Sequence, residues 1–269
     1  MSCTMTDSQH CIVLNKYVLL ESLGAGSFGS LFKGQNLRTK ELVAIKMEVP
    51  GRGDLVKREA RLYLHLQGTP GIPRVKWFGT WSGTHCMVLD LLGASLAQVR
   101  RAHGPFSQTQ FVRVGLKMLD VLETLHAKGF VHRDVKPDNF LLGRENDDSQ
   151  LFMVDLGFCV PWLDEGRPKT LRPLNGLVGS LNYASASAHQ RRGLGPLDDL
   201  ESMCYVMWFL SSPHDLPWSA IRNEATILEQ KQVLQGAPPV IEQCIQFLRS
   251  REKPDYATLR SMFVNDLKT

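Results

Sequence analysis

The sequence predicts an α+β protein built from two lobes: a small antiparallel sheet with one helix, then a larger and mainly helical part. In the first third of the chain, short apolar segments alternate with glycine and polar turns, which is typical of strands joined by hairpins. From Ser95 onward, apolar residues recur every three or four positions, which is typical of helices. We expect residues 1–16 to form a flexible leader, residues 17–92 the sheet lobe and a hinge, and residues 93–269 the helical lobe.

The composition is that of an ordinary globular protein and narrows the functional class. The chain has 269 residues, of which 43% are hydrophobic and 22% are charged, and no apolar run is long enough to span a membrane. The start of the chain lacks the basic and apolar stretches of a secretory signal peptide. The six cysteines form no CxxC pair, so we expect reduced thiols and a location in the cytoplasm, the nucleus or both.

The charge of the chain gives no argument for nucleic acid as a partner and is compatible with acidic substrates. A formal net charge of +4 is small, and the basic residues are scattered rather than gathered into a stripe. We therefore expect neither nucleic acid nor a membrane as a partner. A mildly basic protein is compatible with acidic protein substrates.

A glycine-rich turn follows the first predicted strand, Tyr17–Leu23. Its glycines allow a phosphate group to approach the backbone, and the apolar residues at its two ends are placed to cover a purine. In a dinucleotide-binding fold this turn would open a helix, but here a second strand follows and ends at Lys46. Strand, glycine turn and strand is the arrangement of protein kinases. The turn residues expected to contact a nucleotide are Leu23, Gly24, Ala25, Gly26, Ser27, Phe28, Gly29, Ser30 and Leu31.

Two charged residues near this turn are expected to form a pair. Lys46 lies 17 positions after Gly29 and is expected to bind the α and β phosphates of the nucleotide. Glu59 belongs to a helix predicted over Asp54–Leu66, and we pair it with Lys46. The alternative is an ordinary surface glutamate that pairs with a neighbouring arginine.

Two short strands are predicted next, over Val75–Gly79 and His85–Asp90, and the second leads into a hinge. Backbone groups near Asp90 and Leu92 are expected to meet the edge of an adenine ring. Leu89 is expected to lie at the back of that pocket.

The segment Phe130–Leu141 contains more candidate catalytic side chains than any other part of the chain. Its polar residues are flanked by apolar residues at both ends of the segment. Asp134 precedes Asn139 by five positions. This spacing suits a loop in which a carboxylate orients a hydroxyl group and an amide binds a metal ion that bridges phosphates. Lys136 is then expected to face the transferred phosphoryl group. The alternative is a polar surface loop.

The elements around this segment are expected to position it. A helix over Ser107–Gly129, which starts with a capping box, leads into it. A strand over Leu151–Val154 delivers Asp155, 21 residues beyond Asp134, as a metal ligand. Asp199, near the start of an apolar helix, is expected to accept hydrogen bonds from the backbone of the segment. Two further helices are expected to be scaffolding, at Val240–Leu248 and Tyr256–Phe263.

These motifs resemble those of protein kinases, and a closer resemblance to the casein kinase 1 family covers residues 17–264. The resemblance implies a bilobal protein-kinase fold and the transfer of the γ-phosphate of ATP, with Mg²⁺, to serine or threonine hydroxyls of protein substrates. It also implies an enzyme that is active without phosphorylation of residues 158–182, and we expect a monomer. Six segments carry the closer resemblance: Gly71–Pro73, Leu91–Leu96, Tyr183–Ser185, Asp198–Ser202, Leu216–Trp218 and Lys253–Tyr256.

The functional residues of the family can be carried over to the matching positions of this chain. The resemblance implies Asp134 as the catalytic base, assisted by Lys136, Lys46 and Glu59. It implies Asn139 and Asp155 as magnesium ligands. It adds Ala44 and Leu141 to the turn and the hinge as the nucleotide site.

Three departures from the family pattern limit what the resemblance implies. Leu156 stands where kinases carry a phenylalanine, although an apolar leucine can fill the same packing role. Asn182 replaces an arginine that helps to bind an anion in the family. The basic stretch after Trp218 is shortened to Arg222–Ala225. We therefore expect weak dependence on substrates that are already phosphorylated.

Two other functions stay open on the sequence alone. A pseudokinase would bind a nucleotide or a partner without catalysis, but it would need a missing catalytic group, and none is missing. A small-molecule kinase of related fold generally lacks both the glycine turn and a lysine placed as Lys136 is.

Overall fold

The structure is a computed structural model that describes residues 12–26, 29–49, 51 and 53–266. The chain divides into two compact units. The first runs to Gly93 and includes Asp155–Gly157, and the second comprises Ala94–Val154 and the chain from Phe158 onward. Within the described residues, the first unit is an antiparallel sheet with one helix and the second is mainly helical, which confirms the predicted α+β class. The predicted limits of the leader and of the lobes stay a prediction.

The sheet of the first unit has six antiparallel strands: β1 (Ile12–Val13), β2 (Tyr17–Gly26), β3 (Gly29–Asn36), β4 (Leu42–Met47), β5 (Val75–Trp81) and β6 (Thr84–Asp90). Their order across the sheet is β1-β2-β3-β4-β6-β5. Val43 and Ile45 lie two positions apart on β4 and so point to the same face, where they pack with Tyr17 and Val88. Strand β1 falls within the predicted leader and pairs with β2.

The helix of the first unit, α1, spans Leu55–His65. Val56, Ala60 and Tyr63 are buried, and their spacing of four and three positions gives the helix a single buried face. Glu59 is buried with them. A carboxylate on the buried face of a helix needs a partner of opposite charge.

The second unit contains seven helices within the described part of the chain: α2 (Leu96–His103), α3 (Gln108–Ala127), α4 (Ala186–His189), α5 (Pro196–Ser211), α6 (Glu224–Val233), α7 (Pro239–Arg249) and α8 (Tyr256–Asp266). Helix α5 is buried through most of its length, as expected of a central helix. Its Met203, Met207 and Trp208 are core residues, and the ring of Trp208 meets that of Trp218 edge to face.

Helices α2 and α3 both begin with a capping box. Ser95 pairs with Gln98 at the start of α2, and Ser107 pairs with Gln110 at the start of α3, which confirms the predicted cap. Six short strands complete the second unit in three antiparallel pairs. They are β7 (Phe130–Val131) with β10 (Val160–Pro161), β8 (Phe140–Leu142) with β9 (Leu151–Met153), and β11 (Leu163–Asp164) with β12 (Arg167–Pro168).

Helix α6 departs from the prediction. The apolar pattern predicts two helices after Trp218, whereas the structure has three, because α6 was missed. Its buried residues are Ile227 and Lys231, so the helix carries no apolar stripe from which it could be recognised. Among the described residues, no helix combines the length and the apolar character needed to cross a membrane.

Candidate active site

The glycine-rich turn joins β2 to β3 as a hairpin in which Gly26 pairs with Gly29. Gly29 has a φ of +147°, and a Cβ atom built on it would lie 2.3 Å from the carbonyl oxygen of Met47. This position therefore requires glycine. Ser27 and Phe28, which were predicted to contact the nucleotide, lie outside the described residues.

The rest of the hairpin brings its two apolar ends onto neighbouring strands. Gly24 is the register partner of Leu31, and Ala25 is the register partner of Ser30. Leu23 is 45% exposed.

The predicted adenine pocket of the first unit rests on β4 and β6. Ala44 and Leu89 are register partners on these strands, and both are buried. The amide of Asp90 donates to the carbonyl oxygen of Arg74, and the carboxylate of Asp90 pairs with Arg74 and Lys76. The amide and the carboxylate of Asp90 thus both have protein partners.

Lys46 lies between two carboxylates. Its Nζ atom is 2.7 Å from Oε2 of Glu59 and 3.1 Å from Oδ1 of Asp155. The side chain of Glu59 is only 1% exposed, which excludes the alternative of a surface glutamate paired with an arginine. The predicted pair is therefore present, and Asp155 is a third member of the cluster.

The cluster of Lys46, Glu59 and Asp155 carries one positive and two negative charges. Burial lowers the pKa of Lys46, but the two carboxylates outweigh burial and raise it above its ordinary value. Burial also raises the pKa of Glu59, and Asp155 adds to this effect while Lys46 opposes it. Because the negative charge is in excess, the cluster favours the approach of a cation.

The backbone of Asp155 is held in an unusual conformation. Its φ of +62° is uncommon for a residue other than glycine and is typical of functional sites. Its amide donates to the hydroxyl oxygen of Tyr63 on α1, at 3.0 Å. The next residue, Leu156, is buried, as expected of an apolar replacement for phenylalanine.

In the second unit, Asp199 fixes the start of the Phe130–Leu141 segment. Its two carboxylate oxygens accept hydrogen bonds from the amides of His132 and Arg133, at 2.6 and 2.8 Å, which confirms the predicted contact. Oδ2 of Asp199 also lies 2.9 Å from Nε2 of His126. Burial alone would raise the pKa of Asp199, but these contacts bring it below its ordinary value.

His132 and Arg133 then shape the backbone that leads to Asp134. Nε2 of His132 lies 3.1 Å from the carbonyl oxygen of Val154, and Nδ1 of His132 accepts a hydrogen bond from the amide of Asp134. Arg133 has a φ of +67°, and its Nε donates to the carbonyl oxygen of Phe158. His132 thus orients the loop through hydrogen bonds at both ring nitrogens.

The carboxylate of Asp134 is held by three side chains. Oδ2 accepts hydrogen bonds from Lys136 at 2.7 Å and from Asn139 at 3.4 Å, and Oδ1 accepts one from the hydroxyl of Ser180 at 2.7 Å. Asn139 also donates to the carbonyl oxygen of Asp134. Asp134 is 4% exposed, so these contacts fix a buried carboxylate in one orientation.

Ser180 was not predicted as a site residue. Its partner Asp134 is 46 positions away, so no short-range sequence pattern predicts the contact. Gly179 before it offers the better signal: its φ is +92°, and a Cβ atom there would lie 2.6 Å from the carbonyl oxygen of Arg133. A glycine in the long loop before Ser180 thus marks a close approach of two chain segments.

Two predicted residues supply oxygen atoms that suit a magnesium ion. Asp155 offers a carboxylate in the first unit, and Asn139 offers its Oδ1 in the second, since the amide nitrogen of Asn139 is used by Asp134. Carboxylate and amide oxygens are the ligand types that Mg²⁺ prefers, so these residues fit the ion.

A separate group of possible metal ligands lies in the first unit. Ligand atoms of Glu48, Asp54 and His85 lie within 4.8 Å of one another. Glu48 accepts a hydrogen bond from the amide of Val56, and Asp54 pairs with Lys57. Because both carboxylates have other partners, we assign no metal to this group.

The predicted site residues are thus divided between the two units. Leu92 is half-buried after β6 in the first unit, and Leu141 lies on β8 in the second, where it forms a bridge with Ser95. The first unit also contains Lys46, Glu59, Asp155, Ala44, Leu89, Asp90 and the described turn residues. The second also contains Asp134, Lys136 and Asn139.

The geometry of these residues agrees with a comparison to known protein families. The family model of the protein kinase domain matches residues 17–259, which is most of the chain. The match includes the glycine hairpin, the Lys46 cluster and the Asp134 segment. The chain therefore belongs to the protein kinase domain family.

Proposed function

We propose that this protein kinase is a serine/threonine kinase of the casein kinase 1 type, which transfers the γ-phosphate of ATP to hydroxyl groups of protein substrates. Membership of the kinase family supports phosphate transfer from ATP to protein. The finer assignment rests on the segments that resemble casein kinase 1, among them Leu91–Leu96, Tyr183–Ser185 and Lys253–Tyr256.

The carboxylate of Asp134 is the observation that carries the proposal. A base that accepts a proton from a substrate hydroxyl must be oriented before the substrate arrives. Lys136, Asn139 and Ser180 provide that orientation, and Asp199 holds the backbone on which Asp134 stands. These contacts hold the Asp134 carboxylate in one orientation before a substrate binds.

Each remaining site residue has a part in the proposed reaction. Lys46, oriented by Glu59, binds the α and β phosphates, and Lys136 balances charge on the transferred group. Asp155 and Asn139 would hold Mg²⁺, and the bound ion would supply positive charge to the phosphates. By resemblance to the family, backbone amides of the glycine turn would cover the phosphates. The same resemblance assigns Ala44, Leu89, Leu92, Leu141 and the Asp90 carbonyl to the adenine ring.

The proposed reaction is an in-line transfer of the γ-phosphoryl group. The oxygen of the substrate hydroxyl forms a bond to the γ-phosphorus, and the bond from that phosphorus to the β–γ bridging oxygen breaks. The proton of the hydroxyl passes to Asp134, and ADP leaves with the bridging oxygen. The chain contributes mainly position and positive charge, because the phosphoryl transition state needs little covalent assistance.

The proposal extends to substrates and setting. We propose acidic protein substrates with weak dependence on prior phosphorylation, because Asn182 replaces an anion-binding arginine of the family. We also propose a monomer that needs no phosphorylation of its 158–182 segment, acts in the cytoplasm or nucleus, and binds neither nucleic acid nor membranes.

A peptide assay with γ-³²P-ATP tests the proposal. Peptides that differ only in the acceptor, as serine, threonine or tyrosine, would be compared in acidic, basic and phosphoserine-containing contexts, with and without EDTA. We expect transfer to serine and threonine in acidic peptides, little gain from phosphoserine and none to tyrosine. Loss of transfer in EDTA would support the need for a divalent ion.

The same assay separates the proposal from a pseudokinase. A pseudokinase would bind a fluorescent ATP analogue without transferring phosphate to any peptide. Preferred transfer to tyrosine would instead contradict the serine/threonine assignment.

A further inference from the structure

Helix α1 begins at a residue that does not cap it. Asp54 precedes the helix, but its side chain accepts no hydrogen bond from the first turn. Its carboxylate instead lies 3.1 Å from Nζ of Lys57 and 3.5 Å from Nε2 of His85. The first amides of a helix have no partner within the helix. An acceptor for them can therefore come only from elsewhere in the protein or from solvent.

Glu48, which directly follows β4, supplies such an acceptor. Its Oε1 accepts a hydrogen bond from the amide of Val56, the second residue of α1, at 3.2 Å. This amide is one of those that a capping side chain normally binds, and a negative charge is favourable at the start of a helix. The amide of Glu48 donates to the carbonyl oxygen of His85 at 2.9 Å. The cap of α1 is thus held by the sheet.

The capping contact lies close to the ion pair of Lys46 and Glu59. Lys46 precedes Glu48 by two residues, and Glu59 follows Val56 by three. Strand β4 and its extension are therefore joined to α1 at two points, which lie about 4.5 Å apart along the helix axis. A single contact would leave the helix able to pivot about it, whereas two contacts fix its direction.

The first turn of α1 also packs against the glycine hairpin. Val56 is fully buried, and a Cβ atom built on Gly29 would lie 3.6 Å from Cγ2 of Val56. A shift of Val56 would therefore disturb the end of the hairpin and move Glu59 on the same helix. Both belong to the proposed nucleotide site.

The connection between Glu48 and Asp54 offers α1 little support. Gly51 and Gly53 have φ values of +82° and +79°, and among the described residues no atom lies within 4 Å of a Cβ atom built on either. These glycines thus make no close packing contact with the sheet. The position of α1 relative to β4 therefore depends on contacts of side chains such as Glu48.

We propose that Glu48 is a positioning residue that caps α1 from the end of β4 and so keeps Glu59 in place to orient Lys46 for nucleotide binding. This inference rests on the proposed function, since it assumes that Lys46 binds the phosphates of ATP. Glu48 itself touches no reacting group and acts through the Lys46–Glu59 pair. Its contribution belongs to the binding of ATP and leaves the binding of the peptide unaffected.

Glu48→Leu is the direct test, because leucine has a similar volume but no acceptor. We expect the Kd for a fluorescent ATP analogue to rise about fivefold, with the KM for an acidic serine peptide within about twofold of wild type. Glu48→Gln keeps an acceptor oxygen, so its Kd should stay within about twofold. Glu229→Leu is the matched control, since Glu229 is exposed on α6, and it should change neither constant.

A double variant tests whether Glu48 acts through Lys46. In a Lys46→Met background the ammonium group that Glu48 helps to position is gone. Glu48→Leu should then change the Kd for the ATP analogue by less than about 1.5-fold. A fivefold rise in this background as well would overturn the inference, because Glu48 would act independently of Lys46.

Glu48→Asp provides a second variant should Glu48→Leu fail to fold. It keeps the negative charge but withdraws the carboxylate by one methylene, so we expect a rise in the Kd of about threefold. Circular dichroism would establish that each variant is folded. Folded Glu48→Leu or Glu48→Asp with an unchanged Kd, or Glu48→Gln as weak as Glu48→Leu, would contradict the role of Glu48.

Binding of the ATP analogue separates this inference from the proposed function, because it is measured without phosphate transfer. If wild type transfers no phosphate to any peptide, the proposed function fails. Weaker binding of the analogue by Glu48→Leu than by wild type would still support the positioning role. Normal transfer by wild type together with equal binding by Glu48→Leu would overturn the inference alone.

Discussion

At the scale of single residues, the buried charged side chains of the site each have an opposite charge or a hydrogen-bond donor as a partner. Lys46 and Glu59 form a nearly buried ion pair, and Asp199 is buried with hydrogen bonds to two backbone amides. Desolvation is costly for each of these groups. Removal of one partner therefore leaves the other buried without a compensating interaction. The stability of the site therefore depends on complete sets of partners.

Lys46→Met should destabilise the protein, because it leaves the carboxylates of Glu59 and Asp155 without a cation. We expect a loss of about 3 kcal/mol in the free energy of unfolding, measured by urea denaturation. The double variant Lys46→Met with Glu59→Gln should recover part of this loss. Equal stability of Lys46→Met and the double variant would contradict the explanation that the loss comes from a buried carboxylate left without its cation.

Asp199→Asn should destabilise the protein, because the amide group cannot accept hydrogen bonds at both positions. We expect a loss of about 3 kcal/mol at neutral pH, with exposed Asp215→Asn as the control. The pKa of Asp199 is lower in the folded chain than in the unfolded chain, so its contribution is present above the unfolded value and is lost as pH falls through the folded value.

The pH dependence makes this prediction more specific. The stability difference between wild type and Asp199→Asn should be constant from about pH 8 to about pH 5 and should shrink below about pH 4. A difference that grows on acidification would contradict the assignment of Asp199 as a stabilising carboxylate.

Residues of the site could be predicted from the sequence only where their spacing along the chain matches that of a known motif. Asp134 and Asn139 lie five positions apart, and Lys46 follows the glycine turn at a typical distance. Ser180 was missed because its partner Asp134 lies 46 positions away. A contact between distant segments depends on how the chain folds back, and short-range periodicity does not report it.

At the scale of elements, caps and apolar periodicity decide which helices can be recognised. Helix α3 has a capping box at Ser107 and a buried face that repeats every three or four residues, and it was predicted nearly to its ends. Helix α6 has a buried lysine where an apolar residue would be expected, and it was missed. The two-residue strands β10, β11 and β12 are too short for any periodic signal.

Ser107→Ala should weaken the start of α3, since it removes the side chain that accepts a hydrogen bond from the Gln110 amide. We expect a loss of about 1 kcal/mol, measured by urea denaturation. Ser261→Ala is the control, because Ser261 lies inside α8, where alanine is a good helix former. A loss at Ser261 as large as that at Ser107 would argue against a capping effect.

At the scale of the whole molecule, the proposed reaction needs residues from both units. The first contributes the cluster of Lys46, Glu59 and Asp155, and the second contributes Asp134 and Asn139. This division predicts that nucleotide binding and phosphate transfer respond to different substitutions. The family match shows a kinase domain, and the proposed role of Asp134 as the base separates an active kinase from a pseudokinase.

Phosphate transfer by Asp134→Asn tests this account most directly. The rate of transfer from γ-³²P-ATP to an acidic serine peptide would be measured beside the Kd for a fluorescent ATP analogue, with exposed Asp138→Asn as the control. We predict that Asp134→Asn lowers turnover by about 10² to 10⁴ fold while the Kd changes by less than about twofold. Turnover of Asp134→Asn within about threefold of wild type would contradict the assignment of Asp134 as the base.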